Sequence, residues 1–139
     1  MKTDKKVMPV DRRVLLSALW IFVLFNLFWA DFHAFITPGF LQEIMTGTVS
    51  GFQITENMLL IAALVHEIPV AMIVLSLLLR RNVNRWVNIA AGALNLFFTI
   101  SDGPTDPDHI FFRAVTTLGL LLIIWYAWRW KKEEAQRNP

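Results

Sequence analysis

The sequence predicts an all-α membrane protein: a bundle of four antiparallel transmembrane helices, with both termini cytoplasmic and a short amphipathic interfacial helix between the first two spans. Two observations predict this class. Hydrophobic residues make up 55% of the 139-residue chain and charged residues only 17%, against roughly 25% charged in soluble globular chains. Basic residues also gather on one side of four successive apolar stretches, although the net charge is only +2.

The four apolar stretches approach the length of about 20 residues that a helix needs to cross the hydrocarbon core. We expect one integral membrane domain over residues 1–139, with a cytoplasmic lead at 1–12 and a cytoplasmic tail at 131–139. The predicted spans are 14–36, 57–79, 85–101 and 107–130. A cleaved signal peptide fits the first stretch poorly, because the stretch is long and Phe28-Trp29-Ala30 is a poor cleavage site.

The joints between the spans carry recognisable start and stop signals. Thr37-Pro38-Gly39 ends the first helix, because proline cannot extend the hydrogen-bond ladder. Apolar residues at helical spacing over 40–47 predict the interfacial helix. Residues 48–55 are expected to form a loop, in which Thr55 caps the second span. Asp106 and Pro107 are the expected cap and first residue of the fourth span.

The distribution of basic residues predicts the orientation. All of the 13 Lys and Arg residues except Arg113 fall within or next to the lead, the joint after the second span, or the tail. By the positive-inside rule these segments are cytoplasmic, which predicts a multi-pass protein of a bacterial inner membrane. We interpret the basic clusters as topology signals and anchors to lipid headgroups. The bilayer is therefore the expected partner, and nucleic acid is not.

Polar residues inside the predicted spans are the candidates for a site, because ionisable groups are costly in a bilayer. Asn26, Glu67 and Asn95 lie at similar depths, and the other candidates lie nearer the outer end. We therefore predict a polar cavity that opens to the outside. The candidates for binding a ligand or a proton are Glu67, His66, Asn26, Asn95, Asp31, His33, His109 and Arg113.

Glu67 is the sharpest of these candidates. It lies deep in the second span, with Ala63 and Ala71 one turn away on either side and Pro69 two residues later. A carboxyl group in apolar surroundings tends to hold a proton, so Glu67 is a candidate proton- or cation-binding group. The alternative is a structural glutamate that locks the bundle, either protonated or paired with Arg113.

We predict neither a metal site nor a cofactor. The chain has no cysteine, which excludes disulfides, thiolate metal sites and thiol redox chemistry. The three histidines have no strong metal-binding spacing, and His66-Glu67-Ile68-Pro69-Val70 lacks the second histidine of a zinc protease helix. Asp102, Asp106 and Asp108 are best interpreted as turn and cap residues.

Short motifs throughout the chain resemble an uncharacterised family of small bacterial four-helix membrane proteins. They are Leu16-Ser17-Ala18-Leu19-Trp20, Asp31, Pro38-Gly39, Gly47, Ile68-Pro69, Asn84-Arg85-Trp86-Val87-Asn88-Ile89 and Ile124-Trp125-Tyr126-Ala127-Trp128. The resemblance covers nearly everything after residue 12. It implies four spans and no established activity.

Three functions remain open from the sequence. The first is binding or transport of a small polar or cationic species through the cavity, and a homodimer is expected in that case because four helices enclose little volume. The second is a membrane-embedded enzyme that uses a carboxylate and a histidine as acid and base. The third is an accessory subunit of a membrane complex. Whether the protein is an enzyme therefore stays open.

Overall fold

The computed structural model describes residues 10–101 and 106–135, with side chains up to Trp130. The chain is mostly helical. Its elements are α1 (Arg12–Ile36), α2 (Phe40–Met45), β1 (Thr48–Val49), β2 (Phe52–Gln53), α3 (Glu56–Leu78), α4 (Arg81–Ser101) and α5 (Pro107–Ala135). The roles predicted for Asp102 and for the N-terminal lysines concern positions outside these residues.

The four long helices pack around a common core. Helix α1 contacts both α3 and α5, and α4 contacts the same two helices. The buried core residues are Leu16, Trp20, Val23, Met72, Leu120, Ile123, Ala127 and Trp130. Among the described residues, α1, α3 and the Pro107–Trp130 part of α5 are long and apolar enough to cross a membrane. Helix α4 is outside this set, because its asparagines lower its hydropathy.

Helix α4 carries three of its four asparagines inward and large apolar side chains outward. Asn84 and Asn88 are fully buried and Asn95 is 3% exposed, whereas Trp86, Phe97 and Ile100 are each more than half exposed. A surface helix of a soluble protein shows the opposite arrangement. The inverted pattern is stable where the surroundings of the helix are apolar, so it is consistent with a membrane protein.

The segment expected to be a loop over 48–55 contains a short antiparallel hairpin. Thr48 pairs with Gln53, and Val49 pairs with Phe52. Ser50 and Gly51 form its turn with positive φ. The Glu43 carboxylate accepts a hydrogen bond from the Gly51 backbone N–H at 2.9 Å, which ties the turn back to α2. The predicted Thr55 cap is present, since its hydroxyl accepts from the Met58 N–H.

Helix α4 begins at Arg81, four residues earlier than the sequence predicts, so that only Leu79 and Arg80 join α3 to it. The last carbonyls of a helix lack partners within the helix. The Asn84 side chain supplies one, because its amide donates to the Ser76 carbonyl at 2.6 Å. This contact makes such a short joint possible.

Asn88 is the centre of a buried polar network in the same half of the molecule. Its side-chain oxygen accepts from the Trp20 indole N–H at 2.7 Å and from the Ser76 hydroxyl at 3.3 Å. Its amide donates to the side-chain and backbone oxygens of Asn84. The network joins α1, α3 and α4, and these groups satisfy one another within the protein.

Gly92 sets the separation of α4 and α5. A Cβ at this position would lie 2.9 Å from Cγ1 of Ile124. We expect Gly92→Leu to lower the free energy of unfolding by about 1–3 kcal/mol, since overpacking forces neighbouring side chains to move. Denaturant unfolding in micelles would measure the loss. Ala93→Leu, one residue along and exposed, is the control and should leave stability unchanged; equal losses in both variants would contradict the packing argument.

Candidate functional site

A polar cavity of about 160 Å³ lies between α1, α3, α4 and α5. At about 30 Å³ per water molecule in the liquid, it has room for about five waters or one small organic molecule. Its polar lining residues are Asp31, His66, Asn95, Thr99, His109, Arg113 and Thr116. The remaining wall is apolar, formed by Leu27, Ala30, Val65, Phe98 and Phe112.

The cavity lies toward the end of the molecule that carries the hairpin. His66 is ten residues into α3, or about 15 Å along the helix axis at the α-helical rise. Arg113 is only two turns from the start of α5, and Asp31 is close to the end of α1. The sequence prediction of a polar cavity near this end agrees with the geometry.

Asp31 and His66 form a pair across the gap between α1 and α3. His66 Nε2 lies 3.2 Å from Asp31 Oδ2. His66 Nδ1 lies 2.8 Å from the Ala62 carbonyl oxygen, which only accepts hydrogen bonds. Both ring nitrogens therefore face oxygen acceptors. A ring that is protonated on both nitrogens would satisfy both contacts, so the pair can hold a proton between the two helices.

Other lining groups leave hydrogen-bonding capacity available. Asn95 is almost fully buried, and its amide donates to the Ala91 carbonyl at 3.1 Å. His109 Nδ1 is buried without a hydrogen-bond partner among the described residues. Leaving a buried polar atom unpaired costs about 1–3 kcal/mol. Because His109 lines the cavity, a water or a bound solute is the natural partner for polar groups here.

Three of the sequence-predicted site residues do not line the cavity. Glu67 is exposed on the outside of α3, so the structure separates it from Arg113, its suggested partner. Asn26 donates to the Phe22 carbonyl of its own helix at 2.8 Å. His33 pairs with Asp108, Nδ1 to Oδ2, at 3.3 Å, and its ring packs edge-on against Phe112.

The structure brings five of the eight candidates together: Asp31, His66, Asn95, His109 and Arg113. The sequence interpretation missed the apolar part of the wall. A signal for it existed in helical spacing, since Leu27 precedes Asp31 by four residues and Phe112 follows His109 by three.

Ligand atoms of Asp106, Asp108 and His109 lie within 4.8 Å of one another, a spacing that a metal ion can use. The Asp108 carboxylate, at the start of α5, already has a partner, whereas the described contact of Asp106 involves its backbone only. Asp108 binds His33, and the Asp106 carbonyl accepts from the Ile110 N–H. Within the described part of the chain, the cavity itself does not bring three metal-ligating side chains together.

The arrangement suits recognition of a polar molecule and exchange of a proton. It offers hydroxyl, amide, imidazole, carboxylate and guanidinium groups within one small volume, next to an apolar wall. Ligand pockets in proteins have this composition, with a few polar groups that fix orientation on a largely apolar surface.

Comparison with known proteins identifies a family and no individual relative. No curated protein matches the chain, and no solved structure does. A family model matches residues 6–136, which is nearly the whole chain. This confirms the expectation of an uncharacterised family: the chain belongs to DUF6326, a family of unknown function.

Proposed function

We propose that the protein crosses the membrane four times, with α4 as the span that composition alone does not identify. The support is the inverted distribution of polarity on α4 and its packing against two helices that are apolar enough to span a membrane. Polar side chains within a bilayer face the interior of a helix assembly and pair with one another. Asn84 and Asn88 of α4 do both.

Both termini and the joint between α3 and α4 are then on the cytoplasmic side. Two contacts bring basic clusters together at one end. The Arg12 guanidinium donates to the Tyr126 carbonyl, and that of Arg81 donates to the Trp130 carbonyl, both at 2.9 Å. Arg85 also stacks on Trp86 and Trp128, as expected where aromatic and basic side chains meet headgroups. In a bacterial inner membrane, the cavity at the other end opens outward.

The function that this geometry supports best is binding of a small polar solute from the outside, as the first step in carrying it across the membrane. The observation that carries the proposal is a polar cavity, with the Asp31–His66 pair in its wall and a His109 nitrogen that has no hydrogen-bond partner among the described residues, inside helices that are otherwise apolar. The polar groups around Asn88, in contrast, satisfy one another.

The lining favours a polar solute with both donors and acceptors over a simple cation. Asp31 is the acidic residue among the described lining residues, and it already binds His66. A cation would have to displace the proton that the pair shares. It would also lie close to His109 and Arg113, which line the same volume.

Single-cysteine labelling tests the proposal directly, because the natural chain has no cysteine. Thr99→Cys and Thr116→Cys place a thiol in the cavity wall. The full-length protein in sealed vesicles is treated from the outside with a charged, water-soluble methanethiosulfonate. We expect both thiols to react about tenfold faster than one facing hydrocarbon, since charged reagents do not enter the bilayer core.

Two further variants calibrate the rates. Ser50→Cys, at the exposed turn of the hairpin, gives the rate of a fully accessible outer thiol, and Ala93→Cys, on the exposed face of α4, gives the hydrocarbon rate. Labelling of both cavity thiols at the Ala93→Cys rate would overturn the outward-opening cavity. So would labelling only from the side opposite to Ser50→Cys. Native mass spectrometry then shows whether a small solute stays bound and is lost in His66→Gln.

A further inference from the structure

Glu67 is an ionisable residue at the centre of an apolar helix, and it faces away from the cavity. It is the middle residue of α3, which runs from Glu56 to Leu78. In the four-span arrangement it lies near the bilayer midplane. Its side chain is exposed, whereas the side chains of Pro69, Met72 and Ser76 of α3 are buried between the helices of the bundle.

The surface around Glu67 is apolar. The residues three, four and seven positions away lie on the same side of the helix, and of these Leu60, Leu64, Val70 and Val74 are exposed hydrophobic residues. Other polar groups of α3 point elsewhere: His66 binds Asp31, and Ser76 is buried. Helix α3 is also the least buried of the three apolar helices. Only 11% of its apolar 18-residue stretch is buried inside the protein, against 22% in α1 and 28% in α5.

A carboxyl group cannot remain at this position facing lipid tails without a large cost. An ionised group is costly at the bilayer centre, and a neutral acid still loses the hydrogen bonds that it makes in water. Ionisable residues in spans therefore face a protein interior or a polar cavity. The exposed position of Glu67 in a single chain indicates that another protein surface covers it.

We propose that this surface is a second copy of the chain, with α3 packed against α3 about a two-fold axis along the membrane normal. Such an axis places identical residues opposite each other at the same depth. A protonated carboxyl is both donor and acceptor, so two Glu67 side chains satisfy each other without a base from a foreign partner. The single polar group on this face makes it self-complementary.

The shape of the surface fits this occupant. Ala63 and Ala71 lie one turn on either side of Glu67, and small residues let two helix backbones approach closely. Beside them runs an apolar groove between α3 and α4, with a volume of about 360 Å³, to which Ala71, Ala90 and Ala91 contribute small side chains. Val70 and Val74 of the second copy lie at the depth of this groove, so their exposed side chains have room there. This inference is independent of the cavity, which lies on the other side of α3.

Cysteine cross-linking of the full chain in membranes tests the interface. Ala63→Cys and Ala71→Cys should form covalent dimers with a short bifunctional maleimide. Leu118→Cys is the control, because Leu118 lies near the middle of the apolar span of α5 and is exposed on a different helix. Cross-linking at Leu118→Cys as strong as at the α3 positions, or none at α3, would overturn the proposal.

Substitution of Glu67 tests its part in the contact. Glu67→Leu should weaken the dimer about tenfold, as expected for the loss of a pair of interhelical hydrogen bonds. Glu67→Gln should keep it, because an amide also donates and accepts. Native mass spectrometry reports the subunit count. A monomer in all variants, a different protein bound at this face, or equal dimerisation of Glu67→Leu and the natural chain would each contradict the proposed role.

Discussion

Asn88→Ala is expected to lower the free energy of unfolding by about 3 kcal/mol or more, a large share of the stability of a small domain. The substitution removes the acceptor for the Trp20 indole and the Ser76 hydroxyl and the donor to Asn84. All of these groups are fully buried, so no water replaces the lost partner. Denaturant unfolding in detergent micelles, followed by tryptophan fluorescence, would measure the change.

Asn82→Ala is the matched control, because Asn82 lies on the same helix and its side chain is exposed. It should change stability by less than about 0.5 kcal/mol, as is usual for surface substitutions. A loss below about 1 kcal/mol in Asn88→Ala would show that the network does not hold the three helices together. Trp20→Phe offers a second route to the same contact, since it deletes the indole donor and keeps an aromatic ring.

The long helices could be predicted from the sequence because their signals are local. Apolar length, the Thr37-Pro38-Gly39 stop and the Thr55 cap depend on neighbouring residues alone. The hairpin over Thr48–Gln53 was missed, because its strands have only two residues each and carry no alternating pattern. The early start of α4 was missed for a different reason: it depends on a contact between Asn84 and the end of α3, which sequence spacing does not reveal.

At the candidate site, the depth of a residue in the membrane could be predicted from the sequence, whereas the direction of its side chain could not. Depth along a span follows from counting residues, so the level of Asp31, His66 and Asn95 was predictable. The direction in which a side chain points depends on how the helix is rotated against its neighbours, and packing decides that rotation. His66 and Glu67 are adjacent in sequence, and adjacent helical residues point about 100° apart. Only one of them could face the cavity, and the structure selects His66.

The asparagine network and the cavity differ in how completely their hydrogen bonds are satisfied, although the buried Arg85 Nε at the basic end also lacks a partner among the described residues. The asparagine network near the basic end is satisfied within the protein, and its expected role is to fix the relative positions of α1, α3 and α4. The groups at the other end surround an open volume, and His109 Nδ1 lacks a described partner. A polar residue in a span is therefore a stronger candidate for function when the fold leaves its hydrogen bonds incomplete.

Replacing His66 of the Asp31–His66 pair with aspartate should make the cavity favour cationic reagents over anionic ones. His66→Asp places two carboxyl groups where one carboxylate and one imidazole lay 3.2 Å apart. Relative to a His66 ring protonated on both nitrogens, the lining gains one negative charge even if the two carboxyl groups share a proton. In the Thr99→Cys background, a cationic methanethiosulfonate should react about fivefold faster and an anionic one about fivefold slower, for unit charges roughly 8 Å apart at intermediate dielectric.

The exchanged variant, with Asp31→His and His66→Asp together, separates an electrostatic cause from damage to the fold. It restores one carboxylate and one imidazole across the same gap, so the ratio of cationic to anionic labelling should return close to its original value. The single substitution should shift that ratio about 25-fold, because both rates change in opposite directions. If the exchange does not restore the ratio, or if His66→Asp leaves it unchanged, the pair does not control the charge of the cavity. Restoration would show that the pair acts in the cavity through its charge, because a defect of folding in His66→Asp would not be expected to alter the two rates in opposite directions.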